Sequence, residues 1–147
     1  MSSSFDAAVA ACGQLLLGSQ VAVVGSREFP ELEMVRLFVA QLPTSVVVVS
    51  GGARGVDQCA EASARARGLA VRSMPYLGQF KRSGGHIRNK QLVDSLPVGS
   101  VLVAFRKLGE SPGTDSVVRF ARAAAGVQVF VISPTGPDTG PSQLSLF

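Results

Sequence analysis

Residues 46–49 read Val-Val-Val-Val and run without a polar break into Ser50-Gly51-Gly52. A strand that is apolar at every position, rather than every second one, must be covered on both faces. That is the situation of a parallel sheet held between two layers of helix. The unit recurs. Residues 21–24 form an apolar run closed by Gly25-Ser26, and 69–72, 101–105 and 127–132 are further short runs of this kind. Between them lie segments with helical spacing. Ser4 is placed to cap a helix over 5–17 that Gly18 ends. Pro30 opens a helix with Leu32, Val35, Val39 and Leu42 on one face, stopped by Pro43. Further helices are expected over about 56–67, ended by Gly68, then over 86–95, and over 116–125, ended by Gly126. Residues 74–84 read as loop. Strand-helix-strand alternation requires right-handed crossovers. The prediction is an α/β, three-layer Rossmann-like parallel sheet of about five strands in the order 3-2-1-4-5.

The 147 residues fit one domain, predicted over 1–132, with a flexible segment over 133–147. Hydrophobic residues are 46% and charged residues 16%, which excludes a chain disordered throughout. There is no Trp and one Tyr, which argues against a nucleic-acid reader built on many aromatic platforms. The net charge of +4 suits anionic ligands. Its distribution is uneven: residues 63–93 contain no acid but carry Arg65, Arg67, Arg72, Lys81, Arg82, Arg88 and Lys90. That stretch reads either as a solvated helix face with a basic loop or as an anion-binding surface. Cys12 and Cys59 sit in apolar helical patterns and read as small core residues, and no Cys/His cluster has metal-ligand spacing. The first eighteen residues have no positive leader, and Asp6 and Gln14 interrupt their apolar positions. The expectation is neither a signal peptide nor a membrane span, and a cytoplasmic protein.

Three glycine-bearing turns follow strands: Gly25-Ser26-Arg27, Ser50-Gly51-Gly52-Ala53-Arg54-Gly55 and Ser111-Pro112-Gly113-Thr114. In a parallel sheet such turns share one edge, where ligands bind at the point of reversal in strand order. Each leads into a helix N-terminus, whose amides and dipole favour phosphate. Ser26, Ser50, Ser111 and Thr114 add hydroxyls, and Arg27 and Arg54 add charge. The spacing matches neither GxGxxG nor GxxxxGK[ST], which argues against a standard dinucleotide fingerprint and a P-loop ATPase.

These turns, together with Asp57, Arg88-Asn89 and Ala104-Phe105, occur in an order that resembles the SLOG superfamily over about residues 20–132. The closest branch looks like the small YspA-type, cpYpsA-related proteins. The superfamily also holds the DNA-processing protein DprA, the Lonely-Guy phosphoribohydrolases and molybdenum-cofactor carriers. The resemblance implies a Rossmann-like fold and a nucleotide or nucleotide-derived ligand. By it, Gly25, Ser26, Arg27, Gly51, Gly52, Arg54, Gly113 and Thr114 would line phosphate and ribose, with Arg88 and Asn89 approaching from the basic loop. The Lonely-Guy motif places glutamates two and three residues after its Gly-Thr. Here those positions are Ser116 and Val117, so that hydrolase activity does not carry over. Asp115 is one residue out of place. Asp57 reads as a ribose-hydroxyl acceptor, a general base, or a first-turn acid complementing the helix dipole. Arg88 suits a bidentate phosphate contact or an exposed position on its helix. His86, the single histidine, reads as a proton shuttle or as a loop side chain without a Ser or carboxylate partner.

Residues 133–142 are rich in Pro, Gly, Ser and Thr, and the chain then turns apolar again. Gln143-Leu144-Ser145-Leu146-Phe147 resembles the QL[SD]LF peptide by which bacterial replication and repair proteins bind the DNA sliding clamp. Leu146 and Phe147, with Leu144, would enter an apolar cleft and Gln143 would bond at its rim. The rival is a tail packed on the domain or on a neighbouring subunit.

Three functions follow as expectations. One is a nucleotide-binding module recruited to the clamp, with no resident cofactor or metal and little or no catalysis. Another is a nucleotide hydrolase using Asp57 or Asp115. The third is a DprA-like binder of single-stranded DNA. A homodimer is compatible with each.

Overall fold

The computed structural model describes residues 3–74 and 84–135. In chain order the elements are α1 (Ser3–Gly13), β1 (Gln20–Gly25), α2 (Leu32–Ala40), β2 (Val47–Ser50), α3 (Val56–Ala66), β3 (Ala70–Ser73), α4 (Gly84–Asp94), β4 (Val101–Phe105), α5 (Pro112–Ala123) and β5 (Gln128–Ile132). The five strands make one parallel sheet in the order β3-β2-β1-β4-β5, as the alternation predicts. The chain builds outward from β1 to β3, returns to the centre and builds outward again through β4 and β5. The reversal lies between β1 and β4, where Gly25 is in register with Phe105.

Alternate side chains explain the uninterrupted apolar runs. Val21, Val23, Val48, Val101, Val103 and Phe105 face one core with α1, α2 and α3. Ala22, Val24, Val49, Leu102 and Ala104 face a second core with Leu92, Val93 and Val117 from α4 and α5. The first core is aromatic at its centre. Phe38 meets Phe5 and Phe105 edge-on, with ring centroids 6.2 and 5.8 Å apart. Arg67, just past α3, donates to the Val39 and Leu42 carbonyls at 2.8 and 2.9 Å and ties the end of α2 to α3. Cys12 is buried, and burial pushes its thiol up to about 12. Cys59 is half-buried against the Leu32 carbonyl.

Two helix boundaries differ from the sequence reading by four residues, and α1 begins at Ser3, which puts Ser4 inside the helix rather than at its cap. The first helix stops at Gly13, not near Leu17, because glycine is a poor interior helix residue. Gln14 and Leu15 close it with i−3 bonds, Leu16 and Leu17 are left exposed, and Gly18 turns the chain at φ +83°. The last helix begins four residues earlier than predicted. Pro112 is its first residue, where a missing N–H costs nothing and a fixed φ is already helical. The segment Ser111–Thr114 is therefore the start of α5 and not a separate turn.

Past β5 the chain is fastened at the same sheet edge as the turns. The Thr135 N–H and hydroxyl both donate to the Glu31 carboxylate, at 2.7 and 2.7–2.9 Å, just before α2. No described helix is long and apolar enough to cross a membrane. Lys81 and Arg82, most of the predicted 74–84 loop, most of the linker, and Gln143, Leu144, Leu146 and Phe147 lie outside the described residues.

Candidate functional site

Asp57 stands in the first turn of α3, 3% exposed. Its Oδ1 accepts the Gly25 N–H at 3.2 Å and its Oδ2 accepts the Gly51 N–H at 2.9 Å. One carboxylate thus ties the turn after β1 to the turn after β2. Burial pushes its carboxyl up to about 6, against the lowering influence of the Arg88 charge and of backbone N–H groups at Gly51, Ala53 and Gly25. Arg88, on α4, donates to the Gly51 carbonyl and, through Nε, to Asn89 Oδ1 at 3.0 Å. A Cβ on Gly51 would fall within 2.8 Å of both the Arg88 guanidinium carbon and Asp57 Oδ2, so only glycine lets these groups meet there.

The turn after β1 is joined to α5 by hydroxyls. Ser26 Oγ lies 2.7 Å from Ser111 Oγ and 3.3 Å from Thr114 Oγ1, and accepts the Lys107 N–H at 3.0 Å. All three hydroxyl residues are buried. Because Ser111 Oγ faces Ser26, it makes no cap bond to α5. The amides of Gly113 and Thr114 have no acceptor within the helix and are left at its positive end. Asn89 Nδ2 donates to the Gly113 carbonyl at 3.2 Å and holds α4 against this turn.

Together these segments enclose a cleft of about 660 Å³ at the carboxyl edge of the sheet, over the β1–β4 reversal. That volume is within the roughly 300–1,000 Å³ usual for small-ligand sites. Gly25, Ser26, Arg27, Gly51, Arg54, Asp57, Arg88, Asn89, Ser111, Gly113 and Thr114 line it, so all three predicted segments converge. Ser50, Gly52 and Gly55 are not in the lining. Ser50 Oγ accepts the Gly52 N–H at 3.0 Å and donates to the Asp57 carbonyl at 3.3 Å, shaping the turn from beneath. Gly55 has φ +82° and passes against the Arg27 carbonyl.

The structure revises which donors are open. The Gly25 and Gly51 amides are engaged by Asp57, the Ser26 amide by the Phe105 carbonyl and the Gly52 amide by Ser50. These four amides are thus taken, whereas those of Gly113 and Thr114 at the start of α5 are open. Asp115 also lies outside the lining. Arg106 grips it with two bonds of 2.6 and 3.1 Å, and this pairing holds its carboxyl below the usual range. Asp115→Asn should leave ligand affinity within about twofold of wild type, measured by calorimetry, because an exposed ion pair carries little energy.

Sequence reasoning missed several lining residues, among them Lys107, Ser116, the acids Glu28 and Glu110, and His86 as a partnered group. Lys107 follows the end of β4 by two residues, and that position was the signal. His86 lies on α4, and its Nδ1 is 3.0 Å from Ser116 Oγ. It has the serine partner that the sequence did not reveal. The basic stretch 63–93 is not one patch among its described residues. Arg65 pairs with Glu61, Arg67 binds α2 carbonyls, Arg72 binds Gln20 and Lys90 pairs with Asp94, while Arg88 enters the cleft. Among the described residues no group of three or more His, Cys, Asp or Glu could hold a metal ion.

A parallel sheet that reverses its strand order over a cleft at the carboxyl edge defines a Rossmann-like α/β domain. This chain belongs to the DNA recombination-mediator protein A family, whose model matches residues 8–81. That span covers the Gly25–Arg27 and Ser50–Asp57 segments and bears out the SLOG resemblance. No curated protein and no solved structure was found to match the chain.

Proposed function

We propose that the cleft holds the phosphate of a nucleotide unit and that the protein acts in DNA processing as a binding module. The observation that carries this reading is the convergence of Ser26, Ser111 and Thr114 hydroxyls on the open end of α5, with Arg27, Arg54 and Lys107 in the same lining. An anion placed there would meet helix amides, hydroxyls and cations together. Binding is favoured over hydrolysis because both carboxylates that the sequence singles out are already engaged by protein groups. Asp57 holds two backbone amides, and Asp115 holds Arg106.

Calorimetry with a panel of mononucleotides and ADP-ribose tests the reading. Arg27→Ala combined with Lys107→Ala should weaken binding at least about tenfold, since each charged hydrogen bond contributes roughly 1.5–3 kcal/mol. Absence of any nucleotide-induced change in melting temperature at millimolar concentration would remove the proposal.

Family membership favours a second reading, in which the nucleotide unit belongs to single-stranded DNA. Binding to a short oligonucleotide should then weaken with salt, and Arg27→Ala should reduce the slope. The apolar peptide Gln143, Leu144, Leu146, Phe147 supports recruitment to the bacterial sliding clamp. Deleting 143–147 should abolish clamp capture in a surface-binding assay and leave the melting temperature within about 1 °C. A large loss of stability would instead mean that the peptide packs on the domain.

A further inference from the structure

We propose that the His86–Ser116 pair is the wall on which the uncharged ring of the bound nucleotide lies, and that it sets preference for a base over a bare sugar phosphate. This rests on the reading of the cleft as a phosphate site.

The pair joins two elements: His86 in the first turn of α4 and Ser116 in the second turn of α5. Besides the 3.0 Å bond to Ser116, the imidazole packs on the Phe120 ring, with centroids 4.9 Å apart at 57°. The ring is therefore fixed from two directions, yet His86 remains exposed and lines the cleft. Ser116 occupies Nδ1, which leaves Nε2 as the ring nitrogen available to a ligand. A side chain held in place but open to solvent at a cavity wall loses little freedom when something stacks on it.

The rest of the lining divides by chemistry. Arg27 and Arg54 come from the turns after β1 and β2. Val24, Leu92 and Val117 belong to the core under α4 and α5 and back the cleft while staying buried, so the exposed ring in front of them is that of His86. A phosphate needs the first set and has no use for the second. A nucleobase has flat apolar faces and a polar edge, which suits an exposed imidazole face backed by buried aliphatic side chains.

The test compares adenosine 5′-monophosphate with ribose 5-phosphate by calorimetry on the full chain. Wild type should prefer the nucleotide by about tenfold, the size of one base-stacking contact. His86→Ala should erase that preference and leave ribose 5-phosphate affinity within about twofold. Ser116→Ala, which releases the ring without removing it, should lower the preference in the same direction. Arg27→Ala should weaken both ligands. Equal binding of the two ligands to wild type, or an equal loss of both in His86→Ala, overturns the proposal while the Arg27 effect keeps the phosphate reading intact. Failure of both ligands to bind wild type overturns the two together. Adenine release by wild type, lost in Ser116→Ala, would also overturn it, by giving the pair a chemical role. Repeating the comparison with a ten-residue oligodeoxyadenylate separates the sources. A His86→Ala loss confined to the mononucleotide points to a free ligand, and the same loss on both points to a base within a strand.

Discussion

Asp57→Ala should lower stability by about 3 kcal/mol and abolish nucleotide binding. The removed carboxylate is the acceptor for two buried amides, at Gly25 and Gly51, and stands beside the Arg88 charge. Stranding a buried donor costs roughly 1–3 kcal/mol, and breaking a buried charged cluster from one side costs roughly 3–5 kcal/mol. In a domain of this size about 3 kcal/mol corresponds to a fall in melting temperature of about 10 °C, read by calorimetry. Binding should fail because the two turns it joins form the floor of the cleft. Asp57→Asn keeps one acceptor and should lose less. Its pH dependence separates it from wild type. The carboxyl is raised from 3.8 to about 6 in the folded state, so the folded protein holds that proton more tightly than the unfolded chain. The stabilisation from this proton is fully present below pH 3.8 and is lost as pH rises through 6. Over that window wild type should lose roughly 3 kcal/mol relative to Asp57→Asn. A parallel pair of pH curves would show that the carboxyl is not held in this way.

Gly55→Ala should be comparably damaging for a backbone reason. Gly55 precedes α3 with φ +82°, a region that side-chain-bearing residues rarely enter. Its added Cβ would also collide with the Arg27 carbonyl and come within 3.1 Å of the Arg27 Cα. Strain of roughly 1–3 kcal/mol and overpacking of similar size act at one point. Because the collision is with backbone, no rotamer change relieves it. A loss of about 3 kcal/mol in chemical denaturation is expected, with Arg27 displaced and nucleotide affinity reduced. An alanine variant with wild-type stability would mean that the Arg27 and Gly55 turns do not touch. The same substitution at Gly113, where an added Cβ meets nothing within 4 Å, should be mild and serves as the control.

Much of this fold is legible in the sequence. The strand over 101–105 matches to the residue, because an apolar run bounded by polar residues has only one place in a covered sheet. The convergence of the Gly25, Gly51 and Gly113 segments also followed from topology, since a parallel sheet puts every strand end on one edge. Other features depended on geometry that no local pattern records. Pro112-Gly113 looks like a turn dipeptide, yet Pro112 opens a helix, and the Ser111 hydroxyl just ahead of it is bonded to Ser26 from 85 residues away. That Asp57 takes up the Gly25 and Gly51 amides depends on how α3 docks across two strands. His86 and Ser116 are 30 positions apart on separate helices, and neither sequence neighbourhood names the other.

Glu31 secures Thr135 just ahead of α2, so the chain past β5 is held to the segment between β1 and α2, beyond the carboxyl ends of the strands. Gln143 follows eight positions later, a tether of at most about 28 Å when fully drawn out. If a clamp grips 143–147 as proposed, a tether of that length would hold the domain within about 28 Å of it.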